Sequence, residues 1–212
     1  MKRIAILTAV YFGLLTAAQA DDPDARYNDL VAKAERGDTG TDYTALRLAY
    51  ADSSTYDPYG SRTRPLFGDT WKALQAKDCK TVLEKSDALL KIDFTEIAVH
   101  TMRAECLDQS GDNDGSAREI AIARGLADSL FGSGDGKSVK TAYVVISLGE
   151  EHMVLARLDA HETEQALLNS DGKPFDRITA KNNTTGETTG VFFDVSALFR
   201  GLARTLGKKT AQ

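Results

Sequence analysis

The chain has 212 residues, 42% of them hydrophobic, so it is long enough to bury a sizeable core without depending on disulfides or metals. It carries 26 basic and 31 acidic residues, a net charge of −5. This excess of acidic groups argues against nucleic acid and anionic bilayers as partners, because their phosphates would repel the protein.

The first twenty residues have the composition of a secretory signal peptide. Lys2 and Arg3 precede a mostly apolar stretch over residues 4–18, and residues 18–20, Ala-Gln-Ala, form a small-x-small cleavage site. The stretch is shorter than the roughly 20 residues that span a bilayer, so we expect no membrane span after its removal. The sequence predicts a periplasmic or secreted protein that begins at Asp21, with 24 basic and 31 acidic residues and a net charge of −7.

Helical periodicity dominates the first half of the mature chain. Apolar residues at helical spacing predict helices over residues 24–36 and 42–51. Residues 52–64 are rich in Ser, Tyr, Pro and Gly, which predicts a loop. A third helix is expected to begin near Pro65, which suits a first helical position. Its predicted buried face consists of Phe67, Trp71 and Leu74.

Three further helices are expected between residues 78 and 131, each with a predicted N-cap. Asp78 precedes the first and Thr95 the second. Ser116 and Glu119 have the spacing of a capping box at the start of the third. Because the connections are short, neighbouring helices should be antiparallel.

Two cysteines belong to one of these predicted helical hairpins. Cys79 starts one helix and Cys106 ends the next, so antiparallel packing brings both to the same end. In an oxidising compartment a disulfide there would close a loop of roughly 28 residues and add about 3 kcal/mol to the free energy of unfolding. The alternative is a pair of small thiols buried in a helix seam.

After Leu130 the pattern changes from helices to strands. Gly132, Gly134 and Gly136 interrupt the helical periodicity, and residues 171–172, Asp-Gly, are a strong turn signal. The predicted strands lie at residues 143–146, 152–158, 165–168, 174–180 and 190–195, and a last helix at residues 196–206.

These elements predict an α+β fold in which antiparallel helical hairpins are followed by a small antiparallel β-sheet and a C-terminal helix. Residues 1–20 are the signal peptide and residues 21–131 the helical region. Residues 132–212 hold the sheet and the last helix, and we expect them to pack with the helical region as one domain.

No motif for a cofactor or metal is complete. Residues 131–138, Phe-Gly-Ser-Gly-Asp-Gly-Lys-Ser, lack the first glycine of a phosphate-binding loop and lead from a helix to a strand, the reverse of the required order. Residues 112–115, Asp-Asn-Asp-Gly, lack the closing glutamate of a calcium loop, whose position is Ala121. The three histidines have no paired ligand spacing. We therefore expect no cofactor and no metal.

Aromatic residues and an arginine cluster on the second helix and in the loop after it. Arg47, Tyr50, Tyr56 and Tyr59 offer contact area and polar tips, as recognition surfaces do. The alternative is that the tyrosines fix an irregular loop onto the helical core.

Two groups of charged residues are candidates for acid–base chemistry. Glu150, Glu151 and His152 are consecutive at the start of a predicted strand, and Asp135 and Lys137 precede the strand before it. Exposed charges at turns explain them as well. The two groups would also lie at opposite ends of the strand over residues 143–146, which counts against a shared active site.

Four segments, taken in this order, carry a family resemblance. They are Leu46-Arg47-x-x-Tyr50-Ala51-x-Ser53-x-x-Tyr56-Asp57-Pro58-Tyr59, Gly134-Asp135-Gly136-Lys137-Ser138, Val145-Ile146-Ser147 with Glu150-Glu151, and Phe192-Phe193-Asp194-Val195-Ser196. Together they resemble the bacterial domain-of-unknown-function family 4919 over nearly the whole mature chain. The resemblance implies an exported protein, helices similar to tetratricopeptide hairpins and no assigned activity. The chain departs from the family at His152, where tyrosine is expected.

Two functions are compatible with these residues. The first is an interaction module for a protein, peptide or envelope component, without a recognisable catalytic set. Its candidate binding residues are Arg47, Tyr50, Tyr56, Tyr59, Asp135, Lys137 and Glu151. The alternative is an envelope-associated hydrolase-like enzyme that uses Asp135 and Lys137 with the cluster at residues 150–152.

Overall fold

The computed structural model describes residues 22–209 and has the predicted α+β architecture. The predicted signal peptide lies outside these residues. In chain order the elements are α1 (Pro23–Glu35), α2 (Tyr43–Asp52), α3 (Thr63–Gln75), α4 (Cys79–Leu90), α5 (Ile97–Gln109), α6 (Asn113–Phe131), β1 (Tyr143–Val144), α7 (Leu148–Arg157), β2 (Ala160–Ser170), β3 (Lys173–Asn182), β4 (Thr188–Asp194) and α8 (Ser196–Lys209).

The first six helices pack in consecutive pairs, α1 on α2, α3 on α4 and α5 on α6. Aspartate caps start several of them, since a carboxylate satisfies amides that the first helical turn leaves unpaired. Asp42 accepts a hydrogen bond from the Ala45 amide, and Asp78 accepts one from the Thr81 amide, as predicted for Asp78. The similarity of these pairs to tetratricopeptide hairpins remains a prediction.

Two predicted N-caps are wrong. Asp112 caps α6 by accepting from the Gly115 amide, so the helix starts before Ser116, and Ser116 is buried within it. Thr95 does not cap α5, because its amide and hydroxyl donate to Asp93. Glu96 occupies the cap position instead.

The buried face of α3 differs in part from the predicted one: Phe67 and Leu74 pack against buried residues of α3, α4 and α5, as predicted, but Trp71 does not. The helix begins at Thr63, before Pro65, and its fully buried residues are Thr63, Thr70 and Ala73. Trp71 is 49% exposed, because the face that passes through Thr70 and Ala73 turns its indole outward.

The sheet is mixed rather than wholly antiparallel. Its strand order is β1-β4-β3-β2, with β2 at one edge. β2 and β3, and β3 and β4, are antiparallel, but β1 runs parallel to β4 with Tyr143 opposite Phe193. The predicted turn between β2 and β3 is present at Asp171 and Gly172, whose φ angles of 52° and 78° suit a two-residue hairpin turn.

Residues 148–157 form helix α7, so the strand predicted over residues 152–158 is wrong. Ser147 accepts from the Glu150 amide and caps the helix. Glu150 and Glu151 lie in the first turn and Arg157 in the last, where the helix dipole favours these charges. In a helix successive residues are rotated by about 100°, so Glu150, Glu151 and His152 point in three different directions instead of alternating between two faces.

One hydrophobic core joins the helical region to the sheet. It includes Tyr50 from α2, Leu126 from α6, Ile178 from β3 and Phe193 from β4. A smaller cluster lies among α3, α4 and α5, where Cys79 and Cys106 form a disulfide with their Cα atoms 5.1 Å apart. Across residues 22–209 no helix is long and apolar enough to cross a membrane.

Candidate functional site

A cleft of about 740 Å³ lies between the loop after α2, helix α3, the start of α5 and helix α7. Its volume falls in the range of ligand pockets, roughly 300–1,000 Å³. The apolar part of its lining includes Pro58, Tyr59, Phe67, Leu148 and Met153. Acidic and basic residues also line it, namely Asp57, Asp93, Glu96, Arg64 and His152.

Asp57 organises the loop that forms one wall of the cleft. Its carboxylate accepts hydrogen bonds from the Ser61 amide and hydroxyl and from the Arg62 amide. Burial alone would raise the pKa of Asp57, but these bonds hold it below its ordinary value. The loop is therefore held in one shape by an ionised side chain.

The tyrosines predicted at this loop have different roles. The Tyr50 hydroxyl is buried and accepts from the Asp57 amide, and the Tyr56 hydroxyl donates to the Ile146 carbonyl at 2.6 Å. Both side chains thus fix the loop to the core, the alternative considered from the sequence. Tyr59 is 43% exposed and lines the cleft.

Arg47 does not line the cleft and is only 2% exposed. Its Nε and one Nη donate to the two carboxylate oxygens of Glu150 at 2.8 and 2.7 Å. The same guanidinium donates to the Val144 carbonyl and the Ser129 hydroxyl. Arg47 and Glu150 are thus fully occupied with each other and their neighbours, and they hold α2 against the start of α7.

Asp93, which is buried, and Glu96, which is partly buried, supply acidic groups to the cleft. Asp93 accepts from the Thr95 amide at 2.8 Å and from its hydroxyl at 2.6 Å. Burial, together with the charge of Glu150, raises the pKa of Asp93 to about 6. Burial and then the charges of Asp93 and Glu150 raise the pKa of Glu96 to about 7. Within the described chain, no Lys, Arg or His forms an ion pair with either carboxylate.

Glu150, Glu151 and His152 diverge from the first turns of α7. Glu150 bonds Arg47, His152 is exposed and lines the cleft, and Glu151 is 3% exposed beneath the sheet. Burial, with the charges of Asp176 and Glu162, raises the pKa of Glu151 to about 8. Consecutive in sequence, these three residues do not form one catalytic group.

Asp135 and Lys137 lie in the glycine-rich loop before β1. Their side chains approach each other at 3.5 Å and both are largely exposed. The loop is fixed by bonds from its amides to the Thr141 carbonyl and by the Phe192 amide, which donates to Gly136. Neither charged residue lines the cleft that contains His152.

Asp93 and Glu96 are not among the residues predicted from the sequence. Their signal is the short segment Asp-Phe-Thr-Glu at residues 93–96, where two acidic residues enclose an aromatic residue at a helix start. That segment also satisfies ordinary capping requirements, so only its position in the cleft distinguishes it. Among the described residues, no group of three or more His, Cys, Asp or Glu is arranged to hold a metal ion.

Comparison with protein families gives one match. The model of a domain of unknown function, DUF4919, matches residues 18–203. Because the match covers most of the chain, the protein belongs to this family. No curated protein and no solved structure matches the chain.

Proposed function

We propose that this member of the DUF4919 family is an exported interaction module whose cleft binds a positively charged group carried on an apolar body. The observation that supports this most strongly is the pair Asp93 and Glu96. Both line the cleft of about 740 Å³, and neither has a cationic partner among the described residues.

The lining of the cleft suggests the chemistry of the ligand. A buried carboxylate is costly unless it is paired, so an amine or guanidinium that enters the cleft gains a strong partner. Tyr59, Phe67 and Met153 offer apolar surface for the rest of the ligand. Arg64 does not neutralise the acids in this structure, since its guanidinium donates to the Tyr59 carbonyl. A basic side chain of a peptide and a free amine share the required features.

Export rests on two observations. Residues 1–20 have the composition of a signal peptide. Cys79 and Cys106 form a disulfide, and disulfides persist in oxidising compartments such as the periplasm.

A second candidate function is hydrolysis, and one observation favours it. Glu96 has a pKa raised to about 7 and shares the cleft with His152, so a carboxyl group that can exchange a proton near neutral pH lies in the same cleft as an imidazole. This hydrolase hypothesis differs from the one drawn from the sequence, because it uses Glu96 and His152 and leaves out Asp135 and Lys137. An enzyme would lose turnover on Glu96→Gln with substrate still bound, whereas a binding module would lose affinity.

Calorimetric titration with three small probes tests the binding proposal. Phenethylamine has an aromatic body and a cation, phenylacetate has an anion, and 2-phenylethanol is neutral. Phenethylamine should bind best, and Glu96→Gln should weaken it about 10- to 100-fold, the loss expected for a hydrogen bond to a charged group. An acetylated, amidated Phe-Lys dipeptide distinguishes a peptide side chain from a free amine.

Matched variants locate the effect. Glu84→Gln removes an exposed acid on α4, and Trp71→Ala removes an exposed aromatic ring outside the cleft lining. Both should leave phenethylamine binding unchanged, while Tyr59→Ala weakens it. Equal binding of phenylacetate, or equal losses with Glu84→Gln and Glu96→Gln, would contradict the proposal.

A further inference from the structure

A second concave surface, the sheet-edge groove, lies between the β2–β3 hairpin and α8. Its volume is about 370 Å³, and its lining includes Gln165 and Leu167 of β2, Asp176 of β3 and Phe199 of α8. Leu167 is 58% exposed and Phe199 is 41% exposed. Large apolar side chains of adjacent elements are thus exposed next to a carboxylate.

Strand β2 forms the open edge of the sheet beside this groove. It pairs with β3 on one side and is the last strand in the order β1-β4-β3-β2. Its pairing is irregular between Glu162 and Glu164 but regular from Gln165 to Ser170. This regular half has no proline and no charged residue, which are the usual protections of an edge strand. Its outer backbone groups are therefore available to a further strand.

The groove face of the β2–β3 hairpin carries acidic residues and no basic ones, whereas the other face carries the basic residues of β3 together with Glu164. Alternate residues of a strand point to opposite faces, so Asp176 shares the groove face with Ile178 and Ala180, which belong to the core. The register places Leu167 opposite Asp176 and Glu162 opposite Ala180, hence on the same face. The basic residues of β3 occupy the other face: Lys173, Arg177 and Lys181.

Glu151 does not line the groove, but it is close enough to Asp176 and Glu162 for their charges to act on its carboxyl group. Glu151 is only 3% exposed, and its Oε1 has no hydrogen-bond partner within the described chain. The charged groups that act on it are the acids Asp176, Glu162 and Glu150, and no cation is among them. The cations of α8, Arg200 and Arg204, pair with Asp52 instead. A buried carboxylate in this setting lacks the partner that such groups normally have.

We propose that the edge of β2 receives an extended segment of a partner protein as a fifth strand, with basic and apolar side chains directed into the sheet-edge groove. Backbone hydrogen bonds to residues 165–170 would supply affinity, as in strand addition to other sheet edges. Leu167 and Phe199 would contact the apolar side chain, while Asp176 would bind the basic one and the nearby charge of Glu151 would add to the attraction. The proposal is independent of the cleft, although Tyr59 lines both concave surfaces.

Two synthetic hexapeptides test the proposal with the full mature chain. The first is acetylated and amidated and has the sequence Lys-Thr-Val-Thr-Lys-Thr. The second has Glu in place of each Lys. The Lys peptide should bind and slow amide hydrogen exchange of residues 165–170 at least tenfold, with no comparable effect on α1 or α4. The Glu peptide should neither bind nor protect. Equal binding of both peptides, or protection outside β2, would overturn the proposal.

Variants of matched exposure complete the test. Leu167→Lys places a repelling cation on the groove face, and Ile120→Lys places the same cation on α6, where Ile120 is 44% exposed. Leu167→Lys should abolish binding of the Lys peptide and Ile120→Lys should not. Glu151→Gln should weaken binding and remove its increase between pH 6 and 9. If Leu167→Lys and Glu151→Gln both bind like the parent protein, the groove is not the site.

Discussion

Arg47 and Glu150 are 103 residues apart in the chain and form a two-pronged ion pair with N–O distances of 2.8 and 2.7 Å. Glu150 also accepts from the Ile146 amide, and Arg47 donates to the Val144 carbonyl. The pair therefore connects α2 with the segment that leads from β1 into α7. The loop after α2 and helix α7 both line the cleft, and the Leu148 amide donates to the Pro58 carbonyl, so the ion pair helps to fix the position of one element against the other.

Removing one partner of this pair should be strongly destabilising, because it leaves a buried charge alone. We expect Arg47→Met to lower the free energy of unfolding by about 3–5 kcal/mol. The double variant Arg47→Met with Glu150→Leu should recover most of that loss. Urea unfolding followed by circular dichroism measures both. A loss below about 1 kcal/mol in the single variant would show that the pair is not structural.

Glu151 should make stability depend on pH. Its pKa is about 8 in the folded protein against 4.5 as the ordinary value, so the folded state holds the proton more tightly. The resulting stabilisation is full below about pH 4.5 and is lost as pH rises through about 8. We expect Glu151→Gln to be roughly 2–4 kcal/mol more stable than the parent at pH 9 and similar at pH 5. Glu84→Gln should have the same free energy of unfolding as the parent at both pH values. If the stability of Glu151→Gln changed with pH in parallel with that of the parent, the raised pKa of Glu151 would be refuted.

The disulfide should stabilise the helical region. Cys79 and Cys106 are separated by 27 residues, a loop for which the entropy model gives about 3 kcal/mol. Reduction of the parent protein should lower the midpoint of urea unfolding to that of Cys79→Ser with Cys106→Ser. Reductant should not shift the double variant further. An unchanged midpoint after reduction would exclude a stabilising role.

Tyr56 and Tyr59 should separate stability from binding. Tyr56→Phe removes the hydroxyl that donates to the Ile146 carbonyl, so it should cost about 1 kcal/mol of unfolding free energy and leave phenethylamine binding almost unchanged. Tyr59→Ala removes an exposed ring, so it should leave the free energy of unfolding almost unchanged and weaken phenethylamine binding. Thermal unfolding and calorimetry on the same samples distinguish the two. Loss of binding in Tyr56→Phe alone would reverse these roles.

Much of the fold is predictable from local sequence signals. Periodicity places helices α1 and α2, periodicity with the cap at Asp78 places α4, and the Asp-Gly turn places the β2–β3 hairpin. Helix α7 is not predicted, because Val154 and Leu155 are equally compatible with a strand. Ser147 and Glu150, three residues apart, do have the spacing of a capping box. The parallel pairing of β1 depends on two residues and leaves no local pattern.

The candidate site is less predictable, because burial decides the role of each side chain. Arg47 and Tyr50 have the residue types of a recognition surface, yet both are buried with specific partners. Asp93 and Glu96 have the residue types of a helix start, yet they line the cleft. Tyr59 is the predicted binding residue that the structure places at the cleft. The role of such a side chain depends on contacts like that of Arg47 with Glu150, which are 103 residues apart, and the spacing of residues in one sequence does not reveal such contacts.

The most direct test of the central claim is phenethylamine binding to the parent protein and to Glu96→Gln at pH 5.5 and pH 8. The pKa values of Asp93 and Glu96 are raised to about 6 and 7, so a bound cation should favour their ionised forms. The account predicts that the parent binds at least tenfold more tightly at pH 8 than at pH 5.5, and that Glu96→Gln loses most of this difference. Binding that is equally tight at both pH values, or a pH dependence that Glu96→Gln retains in full, would contradict it.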